Sequence, residues 1–319
     1  MLEVVPEPDM ATIVGLRTTR GPSEGPLTGG FEAVEPQDVR QVGVVGCGLM
    51  GSGIAEVVAR VGIDAVFLEP TGELVAAGRA RIEASTARAV DRGKLTADDR
   101  AAILGRVRGV TDIVAFAEVD LVVEAATEDP AIKLATFAAL DGLVRDDVIL
   151  GSNTSSIPIA TLGAVTGRPE RVIGVHFFNP PPVMGLVELT PSLATSEATV
   201  AFARGFGERL GKTVVVAKDH AGFIVNRLVI PYLCAAIRLY DEGFASREDI
   251  DAAMTLGMNH PMGPLKLADF IGLDTVLQIA EVLFAEFRDP MFAPPPRLQR
   301  MVSAGHLGRK SGRGFYDYG

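Results

Sequence analysis

The stretch Gln41–Gly62, QVGVVGCGLMGSGIAEVVARVG, decides the fold. QVGVV is short, apolar and rich in β-branched residues, the composition of a buried strand. IAEVVARVG carries its apolar residues at helical spacing. Between them Gly46, Gly48 and Gly51 form a G-x-G-x-x-G loop, with Leu49 and Met50 inside it. In a strand–loop–helix unit each glycine has its own task. The first permits the tight turn, the second lets the backbone approach a pyrophosphate, and the third lets helix and strand pack closely. The helix start then offers free N–H groups to phosphate.

A lone motif of this kind is weak, and its context strengthens it. Asp64–Leu68 reads as the next strand and runs into Glu69, 18 residues after Gly51. An acid there can accept the ribose hydroxyls of an adenosine and disfavours a 2′-phosphate. The competing account of Glu69 is a helix-start acid, because Pro70-Thr71 opens the next helix. The strand–loop–helix context favours the nucleotide account, with NAD as the cofactor.

Working onward, Thr71–Arg92 has the period of a long amphipathic helix. Arg81, Arg88 and Arg92 share one face and Lys94 starts the turn. This stripe suits either a solvated face paired with Glu83 and Asp91 or a seat for phosphate groups. A short helix is expected over Thr96–Leu104, capped by Thr96. Strands are expected at Arg106–Thr111, Val119–Ala125 and Val148–Ser152, and a helix over Pro130–Val144 with Pro130 in its first turn. Strands alternating with helices imply right-handed crossovers and a parallel sheet. Ligands of such sheets lie beyond the carboxyl ends of the strands. Glu69, Glu124, Ser155 and His176 all fall at or near such ends.

Arg171–Thr190, RVIGVHFFNPPPVMGLVELT, reads as strand, stiff loop and strand. Pro180, Pro181 and Pro182 cannot donate to a ladder and mark the connection. His176 and Glu188 lie symmetrically about Pro182, so a chain folding back there sets them across from each other. An imidazole held by a carboxylate is a general base of fixed tautomer. A satisfied histidine at a strand end beside an unrelated glutamate accounts for this stretch equally well.

Beyond Thr190, Ser196–Leu210 reads as a helix and Thr213–Ala217 as a last strand. After Lys218 strand signals stop. Phe223–Glu242, Arg247–Leu256 and Leu273–Phe287 read as helices, with Pro231 expected to kink the first or to lie in its first turn. The expected fold is therefore α/β. A Rossmann-type, doubly wound, mainly parallel sheet occupies residues 41–218, and an all-helical domain occupies 219–319. The apolar faces of that helical part exceed what about a hundred residues easily bury, which points to oligomerisation through it. Residues 1–40 read as a flexible extension, with seven acids against three arginines and strand composition only at Thr12–Leu16.

Composition narrows the partners. Hydrophobic residues make up 48% and charged residues 22% of the 319, as in a soluble globular protein. The net charge of −10 excludes a nucleic-acid or anionic-membrane surface as the natural partner. No apolar run is long enough to span a membrane, and MLEVVPEPD lacks the basic-then-apolar pattern of a signal peptide. Cys47 and Cys234 have no metal-ligand spacing and fit a reducing cytoplasm.

The motifs together resemble the L-3-hydroxyacyl-CoA dehydrogenase family, most closely its short bacterial 3-hydroxybutyryl-CoA members. They are GCGLMGSGIA, VVEAATEDPAIK, GSNTSSIPI, PERVIGVHFFNPPPVMGLVEL, KDHAGFIVNR, HPMGPLKLADFIGLD and LGRKSGRGFYDY, which span residues 41–319 in the family's order. The resemblance implies an NAD-binding domain and a helical domain that forms a homodimer. It implies oxidation of the 3-hydroxyl of an acyl-CoA, or the reverse. On the same pattern His176 would be the base and Glu188 its orienting partner. Ser155 and Asn226 would bind the reacting oxygen or the thioester region. Glu124, Asn153 and Asn179 would shape the cofactor site. The hairpin Thr71–Leu104 would lie beside the CoA moiety, with Arg92 and Lys94 towards its phosphates. The chain departs from the pattern at Gly185, usually a larger or basic residue, at Cys234-Ala235, usually a polar pair, and at Glu69, usually Asp. The first two leave the reaction class intact and open the choice of substrate, and similar dehydrogenases act on a hydroxyacyl group held by an acyl carrier protein.

Overall fold

The structure is a computed structural model, and it describes residues 35–319. Thr12–Leu16 lies outside the described residues. The chain divides into two compact units, one ending at Asp219 and the other running from His220 to Gly319.

The first unit runs β1 (Gln41–Val45), α1 (Leu49–Arg60), β2 (Asp64–Leu68), α2 (Gly72–Asp91), α3 (Ala97–Gly105), β3 (Val107–Val110), β4 (Leu121–Glu124), α4 (Pro130–Asp141), β5 (Ile149–Ser152), α5 (Ile159–Gly163), β6 (Val172–Phe177), β7 (Leu186–Pro191), α6 (Glu197–Arg209) and β8 (Thr213–Val216). The strands make one eight-stranded sheet of order β3-β2-β1-β4-β5-β6-β7-β8. β1 to β6 are parallel to their neighbours, β6 and β7 are antiparallel, and β8 runs parallel to β7. The central strands are buried along nearly their whole length, as a sheet covered on both faces requires.

The helix starts are written locally. The hydroxyl of Thr71 accepts from Leu74 N–H, and Thr96 and Asp99 form a reciprocal capping box. Asp129 caps α4 ahead of Pro130 at its first position. Residues 35–40 are docked on this unit. Val39 is buried, and Arg209 donates to the carbonyls of Pro36 and Val39 at 2.7 and 2.9 Å. That stretch of the expected extension is therefore tied to α6.

The second unit holds α7 (Val225–Asp241), α8 (Arg247–Gly257), α9 (Pro264–Ile271), α10 (Leu273–Phe287) and α11 (Pro296–Ser303). Its core gathers Leu233, Ile237, Leu265, Val276 and Leu283. α9 and α11 were not expected. Each opens with proline at its first turn, where the missing N–H costs nothing, so a punctuation signal is in fact a helix start. Pro231 lies inside α7, beyond its first turn. Cys234 is in the core and Ala235 faces outward. Both cysteines are free thiols. Among the described residues no helix is long and apolar enough to cross a membrane.

Candidate active site

The parallel strands deliver their carboxyl ends to one edge of the sheet. Val45 pairs with Leu68 and Glu124, Glu124 with Ser152, and Ser152 with Gly174. Glu69, Asn153, Ser155 and His176 follow these positions by one to three residues, so they share that edge.

At β1 the loop is built as its glycines dictate. Gly46 has φ +82°, and a Cβ on Gly51 would stand 1.9 Å from the Gly46 carbonyl oxygen. Neither position admits a side chain. Around Gly48 nothing lies within 4 Å of where a Cβ would be. This open space beside the uncapped start of α1 is the shape a pyrophosphate requires. Leu49 is exposed and Met50 half-buried at the same turn. The Glu69 carboxylate accepts the N–H of Cys47, which ties the end of β2 to the loop. Burial, reinforced by Glu69 and opposed by Arg81, pushes the Cys47 thiol up to about 12, so it is inert.

At β4 and β5 the polar groups are saturated. Glu124 is fully buried. Its Oε1 binds Lys133 Nζ and Ala126 N–H at 2.7 Å each. Its Oε2 binds Lys133 Nζ at 2.8 Å and Ser152 Oγ at 2.7 Å. Four hydrogen bonds therefore occupy the Glu124 carboxylate and tie it to Lys133, Ser152 and the backbone at Ala126. The sequence reading missed Lys133 and Glu128. Oε1 of Glu128 gathers Thr154 Oγ1 at 2.6 Å, Ser156 Oγ at 2.8 Å and the N–H groups of Ser155 and Ser156 at 3.0 and 3.2 Å. Burial opposes its ionisation, but Lys133 and these donors outweigh it and hold the carboxyl below its ordinary value. The signal was present in VVEAATEDPAIK, where a lysine follows Glu124 by nine residues. The Ser155 hydroxyl makes no hydrogen bond among the described residues. Asn153 is fixed at both ends, its N–H on Glu124 O at 2.7 Å and its Oδ1 on Phe177 N–H at 2.8 Å.

At β6 and β7 the antiparallel register sets His176 directly opposite Glu188. His176 Nδ1 and Glu188 Oε2 are 2.9 Å apart, with the Glu188 side chain 0% and the His176 side chain 9% exposed. The Phe178 ring meets the imidazole edge-on at 4.7 Å. Nδ1–H donation to the carboxylate places the imidazole lone pair on Nε2, the nitrogen suited to take a proton. Asn179 follows, exposed, on the loop to β7.

A groove beside α1 is lined by Leu49, Ser52, Arg81, Ser85, Arg88 and Asn179–Pro182. Arg92 and Lys94 do not line it and stand exposed. Glu83 pairs with Arg79 at 2.9 Å rather than with the stripe. Asn226 lies in the first turn of α7, in the second unit. Gly185 is exposed with open space around it. Among the described residues no group of three or more His, Cys, Asp or Glu side chains is placed to hold a metal ion.

Comparison with known proteins agrees with this geometry. Residues 41–220 match the 3-hydroxyacyl-CoA dehydrogenase NAD binding domain, and residues 222–318 match the C-terminal domain of the same family. The chain is 52% identical to a 3-hydroxybutyryl-CoA dehydrogenase of Mycobacterium tuberculosis, over 88% of this chain and 99% of that one. It is 41% identical to the human mitochondrial hydroxyacyl-coenzyme A dehydrogenase, over 88% and 91%. The crystal structure of (S)-3-hydroxybutyryl-CoA dehydrogenase from Ralstonia eutropha superposes with a TM-score of 0.84 at 47% identity, covering 88% of this chain and 99% of that one. With a glycine-rich loop, an acid after β2, an imidazole–carboxylate pair across β6 and β7, and family matches over both units, the chain belongs to the 3-hydroxyacyl-CoA dehydrogenase family.

Proposed function

We propose that this protein is an NAD-dependent dehydrogenase that interconverts L-3-hydroxyacyl-CoA and 3-ketoacyl-CoA, with short chains such as 3-hydroxybutyryl-CoA as substrate. The observation that carries the proposal is the 2.9 Å contact of His176 Nδ1 with Glu188, on the sheet edge that also bears the glycine loop. Relatives named for CoA substrates support the CoA form over a carrier-protein form.

In this reading Gly46, Gly48, Leu49, Met50 and Gly51 seat a pyrophosphate at the start of α1, and Glu69 takes the adenosine ribose. Asn153 and Asn179 complete the cofactor side. Bound NAD supplies the hydride acceptor. His176 takes the proton of the 3-hydroxyl on Nε2, and Glu188 stabilises the imidazolium that forms. General-base catalysis of this kind contributes about 10²–10⁴-fold. The Ser155 hydroxyl holds the reacting oxygen or the thioester region. Arg92 and Lys94, with Arg81 and Arg88 of the groove, attract the CoA phosphates.

The second unit mediates a homodimer. Support comes from Leu228, Phe244, Leu256 and Met258, all more than 60% exposed in that unit. Sedimentation at the mass of two chains is the expected outcome. Two free cysteines support a cytoplasmic location. The direct test of function is NADH oxidation on adding acetoacetyl-CoA to the purified protein. Protein that binds NAD yet bleaches no NADH with this substrate would overturn the proposal.

A further inference from the structure

We propose that Lys212 is a positioning residue for the His176–Glu188 pair, fastening the loop Phe178–Gly185 that joins their strands. The idea rests on the reading of His176 as the base.

His176 and Glu188 face each other only while β6 and β7 keep their register, and a loop of eight residues sets that register. Three of the eight are prolines, so the loop has few donors of its own. Its internal bonds are those of Val183 and Met184 N–H to Pro180 O, at 2.9 and 3.0 Å. The carbonyls of Pro181 and Met184 both turn to one ammonium, with Lys212 Nζ at 2.7 and 2.8 Å. Thr213 N–H takes the Gly185 carbonyl at 2.7 Å. Residues 212 and 213 thus hold both limbs of the loop.

Lys212 is itself well anchored. Gly211, at φ +73°, ends the turn after α6, and Lys212 N–H returns to Gly207 O at 3.1 Å. The chain then enters β8, which pairs with β7 so that Val215 stands beside Glu188. On its other side the loop rests on α1. A Cβ on Gly53 would stand 2.6 Å from Pro181 Cδ, so the phosphate-binding helix and the loop touch there without a side chain between them. Arg60 is the charge that faces Lys212 from α1, and it is paired with the buried Glu56 at 2.6 Å. Burial first, and Arg60 second, lower the proton affinity of Lys212. A lysine spared the loop would avoid both costs by pointing into water.

The test sets Lys212→Met and Gly53→Ala beside His176→Gln, each rate expressed per molecule able to bind NADH. Lys212→Met should lower kcat at least tenfold with KM for NADH unchanged. It should also move the acid limb of the oxidation profile to lower pH, because the carboxylate is no longer held on the imidazole. Lys212→Arg should recover part of both. Gly53→Ala pushes the loop from the opposite face and should reproduce the kcat loss and the pH shift, which covers the case of a Lys212→Met protein that does not fold. Wild-type kcat and pH profile in the folded Lys212 and Gly53 variants, with His176→Gln inactive, would overturn the role of Lys212 alone. A His176→Gln protein of wild-type rate would instead overturn the base assignment, and this proposal with it.

Discussion

Two buried pairs stand at the same edge of one sheet. Glu124 and Lys133 join β4 to α4, and His176 and Glu188 join β6 to β7. Their separations are close, 2.7 and 2.9 Å, and both carboxylates are fully buried. They differ in what surrounds them. Four contacts saturate Glu124, and Lys133 reaches Glu128 as well at 3.3 Å. Its partner is a lysine ammonium, whose single nitrogen is committed to carboxylate oxygens. The partner of Glu188 is an imidazole, which has a second ring nitrogen besides the one that faces the carboxylate. The first pair is a fixture that holds strand ends together. On the proposed function, the second takes up a proton at its other ring nitrogen. Contact distance does not tell them apart, but the chemistry of the partner does, since an imidazole has a second nitrogen and an ammonium has none.

The largest effects should separate the two pairs by observable. Lys133→Met strands a buried carboxylate, a loss of about 3–5 kcal/mol. Urea unfolding should register it as a lower midpoint at unchanged slope. His176→Gln should leave that midpoint almost in place and reduce turnover by about 10²–10⁴-fold, with NADH binding unaltered. If Lys133→Met unfolded no more easily yet lost all turnover, the distinction between fixture and proton carrier would collapse.

Glu188→Gln gives the next effect in size. The amide keeps the hydrogen bond and removes the charge, so turnover should fall less than in His176→Gln. The acid limb of the pH–rate profile should move to lower pH, since the imidazolium loses its counter-charge. An unmoved limb would break the pairing of His176 with Glu188 as a chemical unit.

Glu128 lies between the two classes and sharpens the comparison. It is satisfied like Glu124, but its side chain is 27% exposed. Its folded carboxyl ionises at lower pH than the unfolded one, so its contribution is present above the ordinary value of 4.5 and is lost as pH falls through the folded value. Wild-type stability should therefore drop in acid, and Glu128→Gln should flatten that drop while lowering stability at pH 7 by about 1–2 kcal/mol. Unfolding midpoints at neutral and acid pH, compared between the two proteins, decide it.

What the sequence made legible follows from the range of each interaction. The glycine loop, the cap at Thr96 and the alternation of strands with helices are local or periodic. His176 and Glu188 were visible because a single hairpin places them and Pro182 marks its centre. Lys133 and Glu128 were missed because their roles depend on satisfying charges brought together by β4, α4 and the residues after β5. Ser152 reaches Glu124 across 28 residues, and no spacing rule announces such a bond. Lys212 was passed over for the same reason, since its two acceptors are carbonyls about 30 residues away. α9 and α11 were lost to proline, which ends a helix when interior and begins one when first.

The smallest expected effect extends the same distinction to the surface of α2. Arg79 is spoken for: it binds Glu83 at 2.9 Å and the Val107 carbonyl at 2.8 Å. Arg88, Arg92 and Lys94 make no ion pair among the described residues, and only Arg88 of these lines the groove with Ser85 and Pro180–Pro182. Charge left unpaired on a protein of net charge −10 is suited to attract the phosphates of CoA. Each exposed contact is worth at most about 1 kcal/mol, a few-fold in KM. Arg88→Ser should weaken acyl-CoA and leave a short N-acetylcysteamine thioester untouched, since that substrate lacks the phosphates. Arg92→Glu with Lys94→Glu should act more weakly and only at low salt, because these side chains stand outside the groove and act through the field. Equal KM for acyl-CoA in all three proteins across roughly 20 to 500 mM salt, about a fivefold range of screening length, would make the stripe an ordinary solvated face. A larger effect from the Arg92–Lys94 pair than from Arg88 would place the phosphates at the end of the helix instead of in the groove.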